Sequence, residues 1–383
     1  MAFRKRNVAI GRTPAQATLD APVDSTPPGV RPSPLTSHPV TSTGAPSLDG
    51  LLGGHAGLAL GSSLLIEESG TTDFAGVLLK YYAAEGISQG HMLHVVGVGD
   101  GWIRELPGIA ECKHREKTNK TAVDEEKMKI AWRYERLGQA GERALPDRGS
   151  PSTSASSTTS PTEIPFTHTF DLTKKIALPQ DARINHIPIT PTPSPFDRIL
   201  QSLTQSLKTT PPSTIHRLMI SSLLSPALYP PSSCDPKNFL TFLRSLKSLL
   251  HQHPNRLTAL LTLPLELHPR SSGLVRWAEI LADGVIELTP FPHLMDAVND
   301  LAQSGGARGT EEQPQGMVKV HKLPISTERG EGGAGAGNSM GEDLAFTVSR
   351  RKFVIQPFSL PPVEGDVEAQ QEGGKVTAKD VEF

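Results

Sequence analysis

A chain of 383 residues with 34 Gly, 34 Pro, 37% hydrophobic and only 5% aromatic residues cannot bury its whole length, and reads as one globular core with interspersed low-complexity sequence. Its formal net charge of -2 excludes a whole-chain field that would draw nucleic acid or anionic membrane, leaving only local basic patches for such contacts. Two cysteines, Cys112 and Cys234, have no CxxC spacing and read as reduced thiols, and the basic start MAFRKRNVAI leads into no apolar stretch of a secretory signal.

Residues 1–40, rich in Pro, Ser and Thr, are expected to form a flexible arm. A folded domain over 41–362 follows, with insertions expected to be disordered at 139–164, 303–316 and 326–342, and a flexible tail over 363–383. The most apolar stretch, LLGGHAGLALGSSLLI, is broken by glycines and is too short for a bilayer of roughly 30 Å, so no membrane partner is expected.

Within the domain, strand and helix patterns alternate. Ser62 to Ile66 is a short apolar run of the kind that forms a buried parallel strand. Phe74, Val77, Leu78, Tyr81 and Tyr82 then keep helical spacing, with Asp73 as the cap and Gly86 as the stop. His91 to Gly97 reads as the next strand. Ser194 and Pro195 open a helix with Phe196, Ile199, Leu200, Leu203 and Leu207 on one face. Ile215 to Leu224 is a strand. Asp235 and Pro236 open a helix that buries Phe239, Phe242, Leu243, Leu246 and Leu250 and ends before Pro254. Leu257 to Leu263 is a strand, Leu274, Trp277, Ala278 and Leu281 mark a helix face, and Val285 to Leu288 is another strand. Val318 to Lys322 and Phe346 to Gln356 close the chain as strands, read as antiparallel edges. Repeated βαβ units predict an α/β, doubly wound, mostly parallel sheet with helices on both faces.

In such a fold the first strand-to-helix turn is where an anion binds, because helix N-terminal N–H groups and the dipole point there. That turn reads Glu67-Glu68-Ser69-Gly70-Thr71-Thr72-Asp73. A working phosphate loop needs GxxxxGK[ST], with a lysine for the phosphates and a hydroxyl for magnesium. Here small hydroxyl residues and Gly70 remain, the lysine is missing, and three carboxylates stand around the turn. The positions Glu68, Ser69, Gly70, Thr71 and Thr72 are therefore read as a degenerate nucleotide loop. The strand that should end in a magnesium aspartate ends instead in Ser221-Ser222-Leu223-Leu224. No catalytic residue, metal ligand or cofactor is assigned.

Three look-alikes carry less. Gly97-Val98-Gly99-Asp100-Gly101 resembles a dinucleotide fingerprint, but Trp102 stands at the third glycine's place. Gly337-Asn338-Ser339-Met340-Gly341 matches GxSxG inside a Gly-rich loop, without the strand and helix a nucleophile elbow needs. The pairs His91/His94 and His251/His253 lack the further ligands of a metal site. The run Arg350-Arg351-Lys352 has two readings: contact with RNA phosphates, or an edge strand kept soluble by charge.

These residues resemble the PAXNEB family, which supplies the fourth subunit of the Elongator complex. The resemblance lies in Arg31-Pro32-Ser33, TSTGAPSLDGLLGG from Thr41, LGSSLLIEE from Leu60 and LLKYYAAEGISQGH from Leu78. It continues through KIAWRY from Lys129, FTHTFDLTKK from Phe166, Ser222 to Pro226, ADGVIEL from Ala282 and FSLPP from Phe358. It implies a RecA-like fold without nucleotide motifs and a hetero-hexameric ring built with Elongator subunits five and six. That ring would join the core Elongator subunits, whose separate catalytic chain modifies the wobble uridine of tRNA, and would itself bind tRNA. Cytoplasm and nucleus are the implied locations. Gly53-Gly54-His55-Ala56-Gly57 is looser than the family's glycine triplet, and the loop around Gly70 varies in the family, so no contact is carried onto it. Two other classes stay open: an ATPase subunit whose site is completed at a subunit interface, and a transcription-associated adaptor of RNA polymerase II.

Overall fold

The computed structural model describes residues 26–52, 56–110, 165–191, 194–291, 314–324 and 343–358. The first elements are β1 (Val30–Pro32), β2 (Pro39–Thr41), α1 (Pro46–Leu51), β3 (Leu58–Ala59), β4 (Ser63–Glu68) and α2 (Phe74–Ser88). Next come β5 (Met92–Val96), α3 (Asp100–Arg104), β6 (Pro107–Ile109), β7 (Phe170–Lys175), β8 (Ile184–Ile187) and α4 (Pro195–Thr209). The chain continues as β9 (His216–Ile220), α5 (Pro236–Gln252), β10 (Leu257–Pro264), α6 (Gly273–Leu281) and β11 (Gly284–Pro290). It closes with β12 (Gly316–Lys322), β13 (Leu344–Val348) and β14 (Phe353–Pro357).

The main sheet has nine strands in the order β14-β13-β12-β11-β4-β10-β9-β5-β8. From β11 to β8 every neighbour is parallel, whereas β12, β13 and β14 form an antiparallel meander on one edge. The α/β, doubly wound architecture expected from the alternating pattern is the one observed. β4 is central, with Leu64 opposite Leu260 on one side and Gly284 on the other. All six of its residues are buried, as a parallel strand covered on both faces requires.

One face of the sheet holds α2, which is buried on nearly every side because α1, β6 and β14 close over it. The other face holds α4, α5 and α6. Their inward stripes, Phe196/Ile199/Leu203/Leu207, Phe239/Phe242/Leu246/Leu250 and Val275/Ala278, make a second core in which the Phe196 and Phe242 rings stack 4.5 Å apart. Fully burying each such side chain is worth about 1.5–3 kcal/mol.

Several expectations are corrected. The arm placed over 1–40 is structured from residue 26, because β1 and β2 pair antiparallel and β2 extends onto β3. The insertion over 303–316 ends earlier, since the Gln315 amide bonds to Phe346 O and Gly316 begins β12. Gly86 does not stop α2. It lies inside the helix because a β-carbon there would sit 2.8 Å from Arg217 Cδ, and the chain turns at Gly90, φ +71°. The strand expected through Leu224 ends at Ile220, where Ser222 and Leu224 take φ of 45° and 65°. The helix expected from Leu274, Trp277, Ala278 and Leu281 is α6, on which Trp277 is 52% exposed. Phe346 to Gln356 is two strands, β13 and β14, joined by a tight turn. The expected insertions over 139–164 and 326–342, the tail over 363–383, Cys112 and the GxSxG match lie outside the described residues.

Candidate functional site

The carboxyl ends of β4, β10 and β11 lie side by side, and the turn of residues 69–73 leaves β4 there to enter α2. Asp73 is the N-cap, accepting the Gly76 amide at 3.1 Å. Glu68 reaches over the same helix end. Its Oε1 accepts the Thr72 hydroxyl at 2.7 Å and the Phe74 amide at 2.9 Å, and its Oε2 accepts the Ala75 amide at 2.8 Å. The three amides of the first turn of α2, which in an anion site would face a ligand, are thus all committed to carboxylates of the chain itself.

The rest of the loop follows the same rule. Gly70, at φ +93°, donates its amide to Glu266 Oε1 at 2.8 Å, and Ser69 Oγ lies 3.4 Å from Glu287 Oε1. Thr71 is exposed. Beneath the loop, Arg270 binds Glu279 at 2.7 Å and approaches Glu67 at 3.3 Å and Glu287 at 3.4 Å, while His321 holds Glu287 at 2.7 Å. Glu67 is fully buried and no hydrogen-bond donor satisfies its oxygens. Burial, reinforced by the field of Glu279, pushes it up to about 8 despite Arg270. Burial also raises Glu68, against hydrogen bonds from Ala75, Thr72 and Phe74. Glu287 goes the other way: burial opposes its charge, but His321, Lys319 and Arg270 together hold it below the usual range.

The degenerate-loop positions Glu68, Ser69, Gly70, Thr71 and Thr72 therefore meet in one place with Glu67, and the structure adds Glu266, Glu279, Glu287, Arg270 and His321. Sequence reasoning passed over these, although Glu266 and Glu287 fall at strand ends on the sheet's carboxyl edge, where ligands of open α/β sheets bind. The β9 end brings no carboxylate to the loop: the Ser222 amide bonds to Thr262 Oγ1, and Leu223 to Thr262 O.

The basic run is elsewhere. Arg350, Arg351 and Lys352 are exposed at the turn between β13 and β14, closed by Ser349 N to Lys352 O. The turn abuts β7, where the Leu172 amide donates to Arg351 O at 2.9 Å, and Arg351 and Lys174 both act on the carboxylate of Asp171. Lys174 lies far upstream in the chain, and no local pattern links it to the run.

The look-alikes have structural duties. Gly99 precedes α3, and Trp102 packs against the core. His91 accepts from Arg217 Nε at 3.0 Å, and His94 bonds to His216 at 2.9 Å. His251 is exposed near the end of α5. Among the described residues no group of three or more His, Cys, Asp or Glu could hold a metal ion, and no helix is long and apolar enough to cross a membrane.

A protein named Elongator complex protein 4 in Schizosaccharomyces pombe is 34% identical over 355 residues, covering 89% of this chain and 90% of that one. Its namesake in Saccharomyces cerevisiae is 30% identical, covering 91% and 80%, and that of Homo sapiens 28%, covering 87% and 80%. The solved KaiC-like protein PH0186 of Pyrococcus horikoshii aligns with a TM-score of 0.40 and 16% identity over 83% of this chain and 99% of its own. The profile described as PAXNEB protein matches residues 23–383, and with these relatives it shows that the chain belongs to the PAXNEB family.

Proposed function

We propose that this chain is a non-catalytic, RecA-like ring subunit of the Elongator complex, working in the cytoplasm and nucleus. It supports modification of the tRNA wobble uridine by assembling with subunits five and six and by binding tRNA. The carrying observation is the occupied end of α2. Phe74, Ala75 and Gly76 have given their amides to Glu68 and Asp73, so a nucleotide phosphate would have to displace a buried carboxylate and then face Glu266 and Glu287. Opposed charges of one sign in a partly buried site cost several kcal/mol. The names of the relatives support the place in the complex.

The hairpin turn with Arg350, Arg351 and Lys352 is the surface we assign to tRNA phosphates. Two measurements test the reading. The purified chain should hydrolyse no ATP, and activity that a Thr72→Ala change abolishes would defeat the scaffold role. Replacing Arg350 and Arg351 by Ala should weaken tRNA binding by the assembly about tenfold and lower its salt dependence.

A further inference from the structure

α6 carries large apolar residues on its outer side as well as its inner one. Of its nine residues only Arg276 and Glu279 are charged, and Glu279 is held by Arg270 at 2.7 Å. Val275 and Ala278 fill the core, and Leu274 and Leu281 are partly covered. Trp277 and Ile280, one turn apart, are left 52% and 51% exposed on the outer side. A helix facing water on that side gains nothing from Trp and Ile.

The flank of this stripe is basic. Arg244, Lys247, Ser248, His251 and Gln252 of α5 line an open groove that Leu281 of α6 closes, and no carboxylate lines it. Lys247 ties the two helices together, donating to Leu281 O at 3.0 Å and pairing with Asp283 at 3.2 Å. Arg276 is exposed on α6 itself.

We infer that this face, Trp277 and Ile280 flanked by Arg244, Lys247 and Arg276, docks a segment of a different subunit whose aliphatic stripe is edged by carboxylates. A second copy of this chain fits poorly, because a two-fold contact would set Arg244, Lys247 and Arg276 in the field of their own copies. The inference rests on the chain being a subunit of a larger assembly.

The test uses the full chain co-purified with its partner subunits, read by light scattering and by hydrogen exchange over residues 273–281. Trp277→Ser combined with Ile280→Ser should weaken assembly about a hundredfold, as loss of an aromatic anchor does. Arg244→Glu should weaken it roughly tenfold and lower its salt dependence. Leu35→Ser, at an exposed leucine elsewhere, serves as the control, and unchanged thermal melting shows that the variants fold. Assembly should also slow exchange across α6. The docking site is overturned if the double variant assembles like the wild type, if exchange over α6 does not change, or if the variant loses only self-association. It is equally overturned if truncation after Phe358 exposes α6 in the isolated chain. Failure of the wild type to assemble at all would instead remove the subunit reading, and this inference with it.

Discussion

Arg217, wholly buried in β9, donates to Thr41 Oγ1 at 2.7 Å and so ties the N-terminal strands to the middle of the main sheet. The same guanidinium donates to His91 Nδ1 and Tyr82 O at 3.0 and 3.1 Å and lies 4.7 Å from the centre of the Tyr82 ring. His91 in turn bonds to Pro28 O at 2.8 Å. This is why β1 and β2 pack onto the main sheet: the polar groups of this segment complete a buried network that the sheet alone leaves open.

Replacing Arg217 by Met should therefore cost about 3 kcal/mol, since several buried acceptors lose their donor at once. Gly86→Ala pushes a β-carbon against the same side chain. Urea midpoints of the two single variants and the double variant should show coupling of about 1 kcal/mol or more, with the alanine better tolerated once the guanidinium is gone. Additive costs would mean that Gly86 is small for another reason.

Glu68→Ala removes the acceptor for Phe74, Ala75 and Thr72. Loss of such a cap should lower stability by about 1–2 kcal/mol. Inorganic phosphate should then raise the melting temperature of the variant and leave the wild type unmoved, because only the variant has free amides at that helix end. Equal responses of the two proteins would show that Glu68 does not occupy an anion's place.

Glu67 gives an alkaline signature. Burial holds its folded-state value at about 8, well above that of an unfolded glutamate, so the folded protein keeps a proton that the unfolded chain releases. Its contribution is fully present below about 4.5 and is lost as pH rises through about 8, at roughly 1.4 kcal/mol per pH unit within that window. Glu67→Gln should flatten this slope and exceed the wild type in stability at pH 9, as measured by denaturant titration across pH.

The buried histidines act at the other end. Burial lowers His94 to about 4 and His216 to about 3, and the two rings stack with Asn185 and Thr210 bonding their outer nitrogens. Burial and the Arg217 charge bring His91 to about 3. The unfolded chain takes up these protons first, so stability present above about 6.5 is lost as pH falls towards 4. His94→Gln should reduce that loss by roughly 1.4 kcal/mol per pH unit, and an unchanged acid slope would mean His94 is not held neutral.

Much of the architecture is legible along the chain because it is periodic. The stripes of α4 and α5 repeat at helical spacing, β4 and β10 carry short apolar runs, and Asp73 and Asp235 cap where their positions suggest, accepting Gly76 N and Lys237 N. Local pattern fails where the reason for a residue is distant. Gly86 reads as a helix stop, yet its cause is Arg217 on another element. Trp277 shares a helical stripe with core residues, yet the chain leaves it 52% exposed.

The sequence by itself determined the α/β class, most of the element order, the family, and the absence of a lysine in the loop after β4. All of these depend on residue identity and short-range spacing. Only the tertiary structure decided that Glu68 fills the helix end the lysine would have served, that Glu266, Glu279 and Glu287 converge on the same corner, and that β7 bonds to the turn at Arg351. Those meetings depend on strand order and crossover, which bring residues far apart in the chain within hydrogen-bonding distance and leave no periodic trace in it.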